Sequence, residues 1–243
     1  MDDNINDQLV LICGKAASGK SASLRNLRNP EGVMYLCCES GKKLPFPNSF
    51  KTYTITDPYQ IFDAFDAANK NDSIHTIIID SLTYLLDMYE SLYVVNAKNT
   101  MQGWQQFQQY FKKLMQEYVA TSKLNVIFTA HTLDIMNESE MVLETRVPVK
   151  GALKNQGIES YFSTVVTART VPIALLEEYK NDYLTITEEE KLLGFKYVYQ
   201  TRLTKETANH RIRSNMGMWD REETFIDNNI QLVLDRLKEY YTN

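Results

Sequence analysis

Four runs of residues, Leu9–Cys13, Gly32–Cys38, Thr76–Asp80 and Leu124–Thr129, are apolar at nearly every position, and a shorter mixed run, Lys51–Ile55, lies among them. Runs without alternation predict strands covered on both faces, the mark of a mainly parallel sheet. The intervening segments carry the helical period instead. After Asp57-Pro58, a helix-start signal, Ile61, Phe62, Phe65 and Ala68 fall on one face. A short helix is expected from about Lys20 to Asn26, stopped by Asn29-Pro30. A long helical stretch runs from Leu82 to Ala120 with a polar break at Asn96–Gly103. This alternation predicts an α/β fold, a central mainly parallel sheet flanked by helices.

Past residue 131 the pattern changes. Asp134–Pro148 is polar and lacks a clear period, which predicts a mobile functional loop or an irregular hairpin. Ser163–Ala168 and Lys196–Thr201 read as later strands, with a charged peripheral stretch, Leu175–Lys191, between them. Ile230, Val233, Leu234 and Leu237 give Ile226–Tyr241 a helical face. One domain spans residues 1–243, with a core over about 8–170 and a β-rich extension and C-terminal helix over about 171–243.

Composition narrows the class. At 243 residues, 44% hydrophobic and 23% charged, the chain suits one sizeable globular core. No apolar run reaches the roughly 20 residues of a membrane span. The start Met1-Asp2-Asp3-Asn4 is unlike a signal peptide, and Cys13, Cys37 and Cys38 sit in apolar runs. A cytoplasmic protein with no membrane partner and no disulfide framework is expected. The net charge of −5 means that any nucleic-acid binding must come from a local basic patch or from a multimer.

The strongest chemical signal is Gly14-Lys15-Ala16-Ala17-Ser18-Gly19-Lys20-Ser21, which fits G-x-x-x-x-G-K-[ST] between a strand and a helix. Glycines let backbone N–H groups curl around phosphate oxygens, and the following helix, from Ala22 on, adds its positive end. Lys20 supplies a point charge to the outer phosphates, and the Ser21 hydroxyl is a small oxygen ligand for Mg2+. Asp80 ends a strand beside this loop, where a carboxylate serves the metal's water shell; a helix N-cap is the competing role. Glu39, ending the second strand, is placed to orient or deprotonate an attacking water, or else is a solvated loop acid. His131 ends the fifth strand and could report the γ-phosphate to the loop that follows, or be a satisfied strand-end histidine.

In order along the chain, Gly14–Ser21, Met34–Glu39, Ile77–Leu82 and Asn125–His131 resemble the motifs of the RecA-like ATPases. The chain is most similar to small phage-encoded RecA-like proteins that anneal or recombine single strands. The resemblance also draws on Gly151–Lys154, Ser163–Thr170 and the stretch from Gln200 to Met218. It implies ATP and Mg2+ as substrate and cofactor. Lys20, Ser21, Asp80, Glu39 and His131 would be the working residues. Because the loop begins at residue 14, RecA-style packing is not carried over by the resemblance, and a homo-oligomer, ring or filament, stays open.

The resemblance places single-strand-binding loops near Asn96–Gln105 and Leu133–Lys150. The first holds Lys98 and Trp104, a base-stacking aromatic or a core side chain of the next helix. The second holds Arg146 and Lys150, outnumbered by Glu138, Glu140 and Glu144. Positive charge gathers instead at Lys196, Arg202, Lys205, Arg211 and Arg213. These are cations reaching a neighbour's active site, a nucleic-acid patch, or the solvated face of a β-hairpin. The expected partners are single-stranded DNA, further copies of the chain and a single-strand DNA-binding protein. A P-loop small-molecule kinase, a non-catalytic nucleotide switch and a helicase are the alternative classes.

Overall fold

The computed structural model describes residues 5–138 and 140–242. Its strands are β1 (Leu9–Gly14), β2 (Val33–Cys37), β3 (Lys51–Thr54), β4 (Thr76–Asp80), β5 (Asn125–His131), β6 (Leu133–Asn137), β7 (Val142–Arg146), β8 (Thr164–Pro172), β9 (Phe195–Gln200) and β10 (Phe225–Asp227). Eight of them form one sheet in the order β10-β9-β8-β1-β5-β4-β2-β3. From β8 to β3 every pairing is parallel, and β9 and β10 join antiparallel at the far edge.

The apolar runs alternate between two cores. Leu9, Leu11 and Cys13 face one side, against Phe65 of α1 (Gln60–Asn69), Leu85 of α2 (Leu82–Tyr89) and Phe111 of α3 (Thr100–Lys113). Val10 and Ile12 face the other, against Leu24 and the C-terminal helix Ile230–Thr242. Both faces are covered, which is why these strands need no polar positions. The four α1 residues predicted to share a face are all buried.

Several expectations change in detail. The turn after the phosphate loop, Ser21–Asn26, is a 3-10 helix of six residues, too short to bring much macrodipole to a bound anion. The polar break is shorter than expected: Asn99 caps α3 by accepting from the Met101 and Gln102 amides, so residues 100–105 are helical. Of the two readings for Asp134–Pro148 the hairpin holds: β6 and β7 pair antiparallel, and Glu144 on β7 receives Arg211 at 2.8 Å. At the C-terminus, Ile226 pairs with Tyr199 in a strand, and the last helix starts only at Ile230. Among the described residues no helix is long and apolar enough to cross a membrane.

Candidate nucleotide-binding site

A cleft of about 480 Å³ opens where β1, β2 and β5 end, lined by Ala17–Ala22 of the phosphate loop, Glu39 and His131. The loop's shape depends on its glycines. A Cβ on Gly14 would sit 2.4 Å from Ser18 Oγ and 2.6 Å from the Ala168 carbonyl, and Gly19 holds φ at +90°. Lys20 is only 6% exposed, and its Nζ donates to the Gly14 and Lys15 carbonyls at 3.0 and 2.9 Å. Lys15 and Ala16 turn away from this cleft toward the hairpin, where Lys15 pairs with Asp134 at 2.6 Å.

Burial pushes the Lys20 ammonium down to about 8, against the pull of Asp80 and Glu39. A phosphate binds the protonated form. Below pH 8 the charge is already in place and affinity for a nucleoside triphosphate is flat. Above pH 8 binding must take up a proton, so affinity falls, by up to about tenfold per pH unit. Titration of a fluorescent ATP analogue between pH 6.5 and 9.5 checks this, and an affinity that stays flat to pH 9.5 contradicts it.

Asp80, 3% exposed, is surrounded by hydroxyls. Ser21 Oγ donates to Oδ2 at 2.9 Å, Tyr35 donates to the same oxygen at 2.7 Å, and Thr129 donates to Oδ1. The carboxylate is therefore not a helix cap; Ser81 occupies the cap position of α2. A small hard cation suits this donor set: the Ser21 hydroxyl as a direct oxygen ligand and Asp80 behind it, with phosphate and water oxygens filling the remaining positions.

His131 links the other two groups. Its Nδ1 lies 3.4 Å from Lys20 Nζ and its Nε2 lies 3.2 Å from Glu39 Oε1. An ammonium only donates, so Nδ1 accepts and the ring proton sits on Nε2, donating to Glu39. Lys42 donates to the other Glu39 oxygen at 2.8 Å. The His131 hydrogen bond, reinforced by Lys42, holds the Glu39 carboxyl down at about 2 despite the opposing effect of its burial. The backbone amide of His131 is in turn fixed by Thr83 Oγ1 at 2.9 Å.

Sequence reasoning missed the far end of the cleft. Arg25, Tyr197 and Asn228 line it. Asn228 Nδ2 donates to the Gly19 carbonyl at 3.0 Å, while its buried Oδ1 has no partner among the described residues. No motif marks Tyr197 and Asn228, because β9 and the segment after β10 are brought to the loop only by the fold; Arg25 lies in the turn just after the loop but outside its motif. Lys42 was closer to hand, three residues past Glu39 and within reach of it across one turn.

The gathered cations do not form a patch. Lys196 is buried between Glu190 (2.6 Å) and Asp227 (3.2 Å), Arg211 pairs with Glu144, Arg202 donates to the Trp219 carbonyl, and Arg213 donates to the Glu159 carbonyl. Nor do Arg211 and Arg213 lie in a hairpin: residue 213 bridges Val165, and residue 210 bridges Thr145. Lys205 alone of the set is exposed with no hydrogen bond or ion pair among the described residues.

Of the predicted DNA-loop residues, Lys98 is exposed at the break, Lys150 pairs with Glu90 at 2.7 Å, and Arg146 lies 3.9 Å from Glu144. Trp104 is a helical residue packed edge-on against Phe107 and over Gly151, so its core reading prevails. Trp104→Ala is expected to cost about 2 kcal/mol of stability and to leave any single-strand affinity unchanged. Denaturant unfolding and a binding titration of the same variant test both halves.

A family model described as an AAA domain matches residues 6–196. A search of curated proteins finds no match.

Proposed function

The chain belongs to the AAA domain family, a nucleotide-binding P-loop ATPase type, and on that premise we propose that it hydrolyses ATP with Mg2+, coupled to single-stranded DNA in phage recombination or strand annealing. The observation that carries the hydrolytic part is the line Lys20–His131–Glu39 along the cleft.

Mg2+, held through Ser21 with Asp80 behind it, would supply positive charge to the phosphate oxygens of the substrate. The chain's own groups do the rest. Lys20 leaves the loop carbonyls and neutralises charge on the transferred phosphoryl group. Glu39 accepts a hydrogen bond from the attacking water and orients it in line. While His131 and Lys42 both hold Glu39, its carboxylate is a poor base. A γ-phosphate competing for His131 Nε2–H and the Lys42 ammonium frees it, so the substrate itself arms the carboxylate. The orphaned Ser18 and Asn228 oxygens, both lining the same cleft, are ready partners for the nucleotide.

Support for the DNA part is positional. The β6–β7 hairpin starts two residues after His131 and exposes Leu133, Met136, Met141 and Leu143. Apolar side chains on a projecting ribbon offer contact to unstacked bases without a basic surface. A site completed between copies of the chain would take its cation from Lys205, the member of the set left exposed without a hydrogen bond or ion pair among the described residues. The test is steady-state ATP hydrolysis with and without single-stranded DNA. A several-fold stimulation is expected. Hydrolysis indifferent to DNA would end the coupling while leaving the ATPase, and phosphate transfer to a nucleoside instead of water would make it a kinase.

A further inference from the structure

A second cleft, of about 580 Å³, lies on the other side of the phosphate loop, between that loop, β8, the base of the hairpin and the turn around His210. Its hydrogen-bonding groups do not balance. The Thr132 hydroxyl (5% exposed) and His210 Nδ1 are buried polar atoms without partners among the described residues. Such groups are costly unless something satisfies them. Two cations stand in the same cleft with N–H groups to spare. Lys15 uses its ammonium on Asp134, and Arg169 donates from Nη1 to Gln200 at 2.9 Å.

The two carboxylates there are already supplied. Asp134 accepts from Lys15 at 2.6 Å and from Thr145 at 2.7 Å, and both hold it below the usual carboxylate range. Glu206 is held low by its own backbone amide and by Thr204, with the Lys205 and Arg169 charges adding to this, so Arg169 is partly balanced but keeps free N–H groups. What remains is a surplus of donors around an open volume, which calls for a ligand rich in acceptor oxygens.

We propose that this second cleft binds a phosphate group, held by Arg169, Lys15 and the Thr132 hydroxyl. Lys15 then has two competing acceptors, Asp134 at the base of the hairpin and the incoming anion. Two sources carry that chemistry: free inorganic phosphate and the phosphodiester of a single strand. The site goes beyond the ATPase reading and does not depend on it, since none of its three ligating side chains lines the first cleft.

The chain has three histidines, one in each cleft and one, His75, just before β4, at the end of that strand opposite Asp80. Their ring resonances therefore report the sites separately. With the first cleft filled by a non-hydrolysable ATP analogue and Mg2+, inorganic phosphate is expected to shift His210 and leave His131 and His75 still. Arg169→Gln should weaken that binding by about tenfold or more, the size of a lost charge-assisted hydrogen bond. Thr132→Val, nearly isosteric, should weaken it about threefold with the fold intact. A His210 ring that does not move, or phosphate affinities unchanged in both variants, overturns the proposal. An oligothymidine that displaces the phosphate identifies the source as a nucleic-acid backbone; one that binds without displacing it identifies free phosphate. An oligothymidine that fails to bind at all sinks the DNA coupling proposed above, with the phosphate titration standing apart from it.

Discussion

In the Lys20→Ala variant, ATP hydrolysis falls by about a thousandfold or more, with the fold retained. Among the described residues Lys20 is the buried cation that the loop itself supplies; the other buried lysine lining the cleft, Lys196, is held by Glu190 and Asp227. Lys42 lines the mouth, but it is held by Glu39. The fold should tolerate the change for a definite reason. Burial holds the Lys20 ammonium down at about 8, so at pH 7 the folded state carries a charge that it would rather lose. Removing that charge offsets the two loop carbonyls left without their donor. Steady-state rates and a thermal melt on the same preparation separate the two effects. Full activity in this variant would mean that the loop is not where ATP reacts.

Glu39→Gln is the second large effect. The amide keeps the shape and can still accept from His131, but it is a far weaker base than the carboxylate. Turnover is expected to fall by about a hundredfold to ten-thousandfold, the span of general-base contributions, while ATP still binds. The variant should therefore hold ATP unhydrolysed, readable as intact nucleotide recovered from the washed protein. The pH profile offers a further check. Glu39 sits at about 2, so its carboxylate is ionised across the whole working range. In the free protein its protonation takes effect only as pH falls toward 2, so a loss of kcat/KM between pH 5 and 7 must come from another group. Unchanged turnover would remove Glu39 from the reaction and favour a nucleotide switch.

Much of this was legible before the fold was known. The phosphate loop could be read because its chemistry is local: eight consecutive residues carry the turn, the cation and the hydroxyl. The strands could be read because burial on both faces leaves apolar runs with no other explanation. Asp80, Glu39 and His131 were found as residues at the ends of such runs, and parallel pairing brings their side chains to one rim. Where two readings stood open, contacts across the fold decided between them. Trp104 was open between a base-stacking and a core role at an apparent polar break, which one capping side chain, Asn99, absorbs into α3. The basic cluster was assigned by nearness along the chain, although Arg211 finds Glu144 and Lys196 finds Asp227 across the fold.

The sequence by itself therefore determined the strand pattern, the sheet class and the phosphate loop, because backbone conformation and two-sided burial are written in neighbouring residues. Only the tertiary structure decided which charges are spent on partners, which polar atoms are left wanting, and that Asn228 supports the loop from 209 residues away. Ion pairs and hydrogen bonds are settled within a few ångströms of space, and sequence distance carries almost no information about them.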